Sequence, residues 1–455
     1  MKNYDKDLTT TPLAKGIFLY SIPLVFSNLL QVLFNTADIA VVGRFAGTGP
    51  LGSVGSTTQL LFFFTGILMG LGGGINVIVA YYIGSKSKKD LMDSVNTSAI
   101  ISFIVGVVLM VFGIIISRPV LVLIKTKPEL LEGAITYFRI YMLGMPGVAI
   151  FNFGNAVLSA AGDTKRPLFY LSLSGVINII LNLFFVIVCD MDAGGVALAS
   201  IISQYISAIL VMITLMKGVG DIKFKFSHLK INRAQSIQVF KIGFPAGLQN
   251  AIFAFANTFI QVGVNSFDPI MVAGTAASAN LDPIIYNVMM ALYTACASYI
   301  GQNYGAGKKK RIWHTYLLTT LYSFTIGLVF GIVFFIFGHQ ILSLFSNDPA
   351  VIEAGLIRQN VMVCSFCFSA FMDNSAAASR GLGKTFMPSV IILLGSCVFR
   401  IIWIYTVFAY FQTVPSLFSL YLASWALTGF FEILYFVKIY RKVVDGTDQL
   451  LTASK

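Results

Sequence analysis

The chain has 455 residues, of which 57% are hydrophobic, 14% aromatic and only 11% charged, with a formal net charge of +12 and a mean hydropathy of +0.82. Soluble domains carry about 25% charged residues. A composition this apolar excludes a soluble enzyme, a disordered chain and a nucleic-acid binder, and the basic residues sit between long apolar runs, where the bilayer accounts for them.

The polar stretch from Met1 to Lys15 lacks the apolar core and cleavage site of a signal peptide. A membrane-spanning helix needs about 20 mostly apolar residues. Twelve such runs follow, at about 16–42, 53–82, 95–117, 132–158, 167–189, 194–216, 237–265, 271–300, 314–337, 352–379, 388–411 and 416–438. They predict an all-α membrane protein. Its five cysteines, Cys189, Cys296, Cys364, Cys367 and Cys397, lie in apolar runs and read as buried thiols. With both termini on one side, 24 of the 31 Lys and Arg fall in the tails and loops of that side, including Lys2, Lys6 and Lys455. Four fall on the other side, and Arg139, Arg358 and Arg400 lie within spans. This split predicts both termini in the cytoplasm of a multi-pass plasma-membrane protein.

The chain repeats itself. Gly162, Thr164 and Pro167 recur as Gly383, Thr385 and Pro388, and Gly84 before a lysine run recurs as Gly305, each at an offset of 221. Pro23 and Asn28 recur as Pro245 and Asn250 at an offset of 222. The repeat covers six spans, an even number, so the halves enter the membrane from the same side as parallel repeats. The predicted domains are an N-terminal six-helix bundle over 1–216, a basic cytoplasmic link over 217–236 and a C-terminal six-helix bundle over 237–455. Such halves suit a transporter that rocks one bundle against the other; plain duplication without rocking is the alternative.

Ionisable residues inside a span are costly and mark function. Asp38 ends the first span, behind Asn35, and Pro23 sits fifteen residues earlier, where a proline removes a helix hydrogen bond. Polar residues recur on other spans of the same half: Asn152, Asn155, Asn178, Asn182, Ser200, Ser203 and Gln204. Asn178 and Asn182 share one helix face and should point into the bundle. One carboxylate among amide and hydroxyl oxygens suits a proton or weakly held Na+, with Asp38, Asn178 and Asn182 as its ligands, and no tight metal site. The interfacial alternative is that Asp38 reaches the headgroups. In the second half Asp373 and Arg400 can pair, either as a structural salt bridge or as a cavity lining, while Arg358 and Glu432 are near enough to span ends to snorkel. Gly70, Gly72, Gly73 and Gly74 mark close helix packing or a hinge.

Other chemistries find no support. Gly381-Leu382-Gly383-Lys384-Thr385 lacks the first glycine and the strand of a phosphate-binding loop. Cys364 and Cys367 have no third or fourth metal ligand nearby, and His228, His314 and His339 lie in or beside loops. No enzyme and no cofactor is expected.

The twelve spans in two halves, the Asn35-x-x-Asp38 ending of the first span and the two Gly-x-Thr-x-x-Pro loops resemble the multidrug and toxic compound extrusion (MATE) family of antiporters. The resemblance covers nearly the whole chain. It implies two pseudo-two-fold-related bundles in a V shape. It further implies export of amphipathic, often cationic compounds (drugs, toxins or metabolites) in exchange for H+ or Na+. The family's ion site corresponds to Asp38, Asn178, Asn182 and Ser200, with Asn152 beside it, and its bending proline to Pro23. Asn182 stands where members commonly have Asp, and Ser200 where they have Thr. Phe253 and Ser369 fall where some members carry acidic residues. Asp38 is therefore expected to carry the coupling. Asn35, Tyr141, Asn250, Tyr286, Met289, Tyr293, Asp373 and Arg400 are the candidates for an aromatic- and Met-lined substrate cavity. The expected partners are small amphipathic molecules and the lipid bilayer, with a functional monomer and no nucleic acid. A flippase for lipid-linked sugars, from the same broad superfamily, is the second reading; it would need several free cations for pyrophosphate.

Overall fold

The computed structural model describes residues 7–447, apart from the side chains of residues 254, 255 and 258. Lys2, Lys6 and Lys455 of the charge count lie outside the described residues. Within them the chain is helical, with one isolated bridge between Val219 and Ile222 as its only β pairing. In chain order the helices are α1 (Leu13–Val41), α2 (Thr48–Gly84), α3 (Lys88–Leu123), α4 (Pro128–Met142), α5 (Met145–Ala160), α6 (Lys165–Leu183), α7 (Asp192–Lys217), α8 (Arg233–Val264) and α9 (Pro269–Ala279). They continue as α10 (Asp282–Gly305), α11 (Lys309–Ile336), α12 (Gly338–Leu342), α13 (Pro349–Val363), α14 (Phe366–Gly381), α15 (Phe386–Ile392), α16 (Phe399–Trp403), α17 (Ala409–Phe411) and α18 (Val414–Val444).

Among the described residues nine helices are long and apolar enough to cross a membrane, and eleven when the bent pairs α4–α5 (44°) and α13–α14 (46°) each count as one span. The remaining predicted span, 237–265, coincides with α8. The outward surface is apolar: Ile115, Leu123, Val188 and Phe335 are each more than 60% exposed. The interior holds buried polar side chains such as Thr57, Ser98, Asn182, Asn303 and Ser323. So many exposed large apolar side chains suit a lipid surface rather than water. Cys189 and Cys364 belong to this outer surface; the expectation of five buried thiols holds only for Cys296, Cys367 and Cys397.

The sequence repeat is a structural repeat. α3 and α11 begin at Lys88 and Lys309, and α4 and α13 begin at Pro128 and Pro349. The bent spans break after Met142 and after Val363, and α5 and α14 end at Ala160 and Gly381. Each pair stands 221 residues apart, the offset read from the motifs. Gly162 and Gly383 close their helices at φ 87° and 79°. That conformation strains residues with a Cβ, which explains why both loops keep glycine there.

The chain divides into two compact units, within helices rather than between them. Unit 1 holds Phe26–Ala251; unit 2 holds Thr9–Val25 and the described residues from Ile252 onward. The boundaries at 216 and 237 expected from sequence therefore differ from those of the structure: α1 and α8 each contribute to both units. In unit 1 the stretch 217–236 packs on α3, where Asn96 Nδ2 donates to His228 O (3.2 Å) and Asn232 N donates to Thr97 Oγ1 (3.0 Å). α2 and α8 cross at glycines, since a Cβ on Gly74 would come within 2.6 Å of Gly243 N and one on Gly70 would enter the backbone of Gly247. Close packing accounts for Gly70 and Gly74. In unit 2 the start of α1 is tied down by Tyr20 Oη, which donates to Ser298 Oγ (2.9 Å), and by Lys308 Nζ, which donates to Thr9 O (2.8 Å). The core of unit 2 forms where α14 packs against α10, α11 and α18.

Candidate ion-coupling site

Asp38 lies one turn before the end of α1, which runs on into a π-helical turn, Val42–Ala46. A similar π turn, Phe184–Val188, follows Asn182 at the end of α6. Turns of this kind concentrate at functional sites because they leave backbone groups free of the regular ladder.

Four side chains close a ring. Asn182 Nδ2 donates to Asp38 Oδ1 (2.5 Å) and to Asn178 Oδ1 (3.2 Å). Asn178 Nδ2 donates to Ser200 Oγ (3.3 Å), and Ser200 Oγ donates to Asp38 Oδ2 (3.0 Å). The spacing of Asn178 and Asn182 on α6 puts both amides toward α1 and α7, as the helical face required. Asn178, Asn182 and Ser200 are buried, and Asp38 is half-buried. None of the ion pairs among the described residues includes Asp38, so its charge is met by neutral donors alone. Asn182 Oδ1 is buried without a hydrogen bond. Tyr137 and Tyr141, tilted against each other along α4 with ring centroids 6.1 Å apart, stand near Asp38, and Gln204 Nε2 donates to Tyr141 Oη (3.1 Å). Sequence reasoning missed Tyr137, which lies one turn before Tyr141.

The other predicted residues are placed differently. Asn152 donates to Val148 O on its own helix (2.9 Å) and sits where α5 meets Gly72, outside the ring. Asn35 is exposed, and Asn250 reaches Gly66 O at 3.5 Å. Pro23 lies inside α1, two residues before the chain passes from unit 2 to unit 1. Met289 and Arg400 are each 1% exposed and belong to the interior of unit 2, as does Tyr293, whereas Tyr286 is 49% exposed. Tyr286 and Tyr293 both stand near Asp373.

Three expectations about charge are corrected. Asp373 and Arg400 form no ion pair; Arg400 donates to Ser424 Oγ (3.2 Å) and Asn257 Oδ1 (3.4 Å) and lies over the Tyr421 ring at 4.4 Å. The aromatic faces supply the negative potential that a carboxylate would. Arg358 does not snorkel; it is 2% exposed and paired with Asp282, while donating to Ser278 Oγ (3.0 Å). Glu432 does not snorkel either and is fully buried. Its depth was legible in one signal. Ser424, Thr428 and Glu432 recur every four residues, a polar stripe on α18 that faces inward, all three at 0% exposure. Among the described residues no three His, Cys, Asp or Glu side chains are placed to hold a metal.

The sequence profile of the MatE family matches this chain twice, at residues 23–184 and 245–406, once in each repeat. The chain is 29% identical over 78% of its length to the probable multidrug resistance protein YpnP of Bacillus subtilis, of which it covers 79%. It is 23% identical over 90% of its length to the probable multidrug resistance protein NorM of Thermotoga maritima, covering 89% of it. Its fold matches that of a multidrug resistance MATE family transporter of the MOP superfamily, solved in an outward-facing conformation, with a TM-score of 0.90 at 20% identity, over 98% of this chain and 99% of that one. A twofold internal match, a multi-pass helical architecture and full-length likeness in fold agree: the chain belongs to the MatE family of multidrug efflux transporters.

Proposed function

We propose that this protein is a secondary antiporter that exports amphipathic, cationic organic compounds in exchange for protons carried by Asp38. The observation that carries the reading is the closed ring around Asp38, in which a carboxylate accepts from two neutral donors, Asn182 and Ser200, which Asn178 links, and from no cation. In that ring the ionised carboxylate only accepts. Adding a proton to Oδ1 sets two donors against each other, because Asn182 Nδ2 already donates there. Adding it to Oδ2 turns the Ser200 bond around and frees the Ser200 hydroxyl hydrogen to seek another acceptor. Either way one proton reorganises the end of α1, and a switch needs only such a local change coupled to a bistable element. α1 supplies that element. Pro23 cannot donate to the carbonyl four residues earlier, so the helix bends there at lower cost.

Na+ is the alternative coupling ion, held by Asp38, Asn178 and Asn182 after an amide rotation. A partly exposed tyrosine, Tyr286, beside the Asp373 carboxylate supports cationic, aromatic-compatible substrates. The reading places the protein in the plasma membrane with both termini cytoplasmic, working as a monomer without a cofactor. The flippase reading is not favoured, because Arg400 is enclosed by Ser424, Asn257 and aromatic rings, which leaves Arg139 as the one exposed cation of the two for a pyrophosphate that needs several.

The test is efflux of a fluorescent lipophilic cation with the pH and Na+ gradients imposed separately, in wild type and Asp38→Asn. Efflux driven by the pH gradient and lost in the variant is the expected result. Wild-type efflux in Asp38→Asn would sink the proposal, and a strict Na+ requirement would move the coupling to Na+.

A further inference from the structure

The stretch 217–236 of unit 1 carries five exposed cations, Lys217, Lys223, Lys225, Lys230 and Arg233, against one acid, Asp221, which Lys88 takes at 2.7 Å. None of the five belongs to an ion pair among the described residues. Asp93 of α3 also meets this stretch, and it accepts from Asn232 Nδ2 (3.3 Å) instead of from a cation.

These cations are held in place rather than carried on a loose tether. Phe224 N donates to Leu215 O in the last turn of α7 (3.0 Å), and Thr97 Oγ1 of α3 donates to Lys230 O (3.3 Å), beside the bonds to His228 and Asn232 already described. Lys225 has extended backbone, and from 222 to 225 burial alternates: Ile222 and Phe224 point in, Lys223 and Lys225 point out. Residues two apart in an extended chain leave the same side about 6.6 Å from each other. Two lysine stems so placed can share one phosphate.

Apolar side chains stand among the cations. Phe226 is 61% exposed and Ile231 is 60% exposed, with the Phe226 ring set edge-on to the buried Phe224 at 5.2 Å. Single exposed apolar residues are ordinary. These two lead into a continuous outer face of α8: Arg233, Ile237, Phe240, Lys241, Phe244 and Leu248 are all exposed and share one side of the helix. Lys241 is the last cation of α8, and it lies about 12 Å along the axis from Arg233. A face that mixes cations with apolar groups and then becomes wholly apolar marks the passage from headgroups to hydrocarbon, with Lys241 reaching back toward the headgroups. Ile231, two residues before Arg233, is therefore at headgroup level. That continuity with the lipid-facing side of α8 favours a lipid over an acidic protein as the counterpart of the lysines.

We propose that residues 223–231 form a binding site for anionic phospholipid headgroups, in which Lys223, Lys225 and Lys230 hold the phosphates while Phe226 and Ile231 insert into the leaflet. Neither part suffices alone: a cationic patch is screened by salt, and two apolar side chains give shallow, unselective attachment. α8 passes on into unit 2, so the site fixes the lipid-facing end of a helix that both units share. That this leaflet is the inner one rests on the topology proposed above; the contact with anionic lipid does not.

The experiment is tryptophan quenching in vesicles that carry the full-length protein with Phe226→Trp. The native Trp313, Trp403 and Trp425 all lie in unit 2, and wild type supplies their background. Phosphatidylcholine vesicles receive either acyl-brominated phosphatidylglycerol or acyl-brominated phosphatidylcholine at equal mole fraction. In the first pair of samples the second lipid is unbrominated, so composition stays the same and only the bromine moves. The expected result is quenching about twofold stronger from the brominated anionic lipid, since each cation near the surface enriches anionic lipid several-fold. The excess should fall in about 0.5 M NaCl and vanish in Lys223→Gln, Lys225→Gln, Lys230→Gln. Ile231→Trp repeats the reading at a second position should Phe226→Trp fail to fold. Absence of quenching by either lipid would overturn the proposal and leave an acidic protein as the counterpart. Equal quenching by both would overturn the headgroup recognition, and an excess that survives the triple variant would remove the lysines from it. No transport is measured, so failure here leaves the antiport reading untouched, and loss of that reading leaves this site standing.

Discussion

Asn182 donates one amide nitrogen to both Asp38 and Asn178, so a residue 144 positions away in sequence holds the carboxylate at the end of α1 in place. The bond joins the ends of two helices that each continue into a π turn. The protonation state of Asp38 is thereby tied to the packing of α1 on α6.

Asn182→Asp should turn this contact into a pair of carboxylates within hydrogen-bond distance. Two such groups share a proton or a cation, since both cannot stay charged and unpaired. The expected outcome is a thermal stability that rises with NaCl but not with choline chloride, where wild type shows little difference. Equal curves in the two salts would contradict the role given to Asn182.

Ser200→Ala removes the hydroxyl that accepts from Asn178 and donates to Asp38. The buried Asn178 amide loses its acceptor, at about 1–3 kcal/mol, and the half-buried Asp38 carboxylate loses one of its two donors. We expect a lower melting temperature and impaired efflux, with Ser200→Thr restoring both, because it returns a hydroxyl at the same atom. A Thr variant no better than Ala would show that packing, not hydrogen bonding, matters there.

Gly74→Val places side-chain atoms where the backbone of Gly243 already lies. Overpacking of a tight contact costs about 1–3 kcal/mol or more. Reduced yield and a lower melting temperature should follow, whereas Gly55→Ala, with open space around the added carbon, should leave both unchanged.

Arg358→Met should strand Asp282. Removing one member of a buried pair costs about 3–5 kcal/mol, and the lower end applies because 30% of the Asp282 side chain remains exposed. The double variant Arg358→Met, Asp282→Asn should recover part of that loss. A double variant less stable than the single would place the value of Arg358 in its stacking over Phe418 instead.

Composition, apolar run length and the duplicated loops determined the class of this protein, its spans and its internal repeat, because these depend on local hydrophobicity and on turn residues such as Gly162 and Gly383 that only their own backbone requires. The face shared by Asn178 and Asn182 was also local, since helix geometry alone aligns residues four apart. The tertiary structure decided what those faces meet. It drew Ser200 into the ring and left Asn152 out, divided α1 and α8 between two units, and turned Glu432 and Arg358 inward. Charge near a span end permits either snorkelling or burial, and the choice rests on what other helices contribute: Asp282 pairs with Arg358, and the packing of α14 on α18 encloses Glu432. Contacts between helices distant in sequence leave no periodic trace in any one of them, so only the packed structure reveals them.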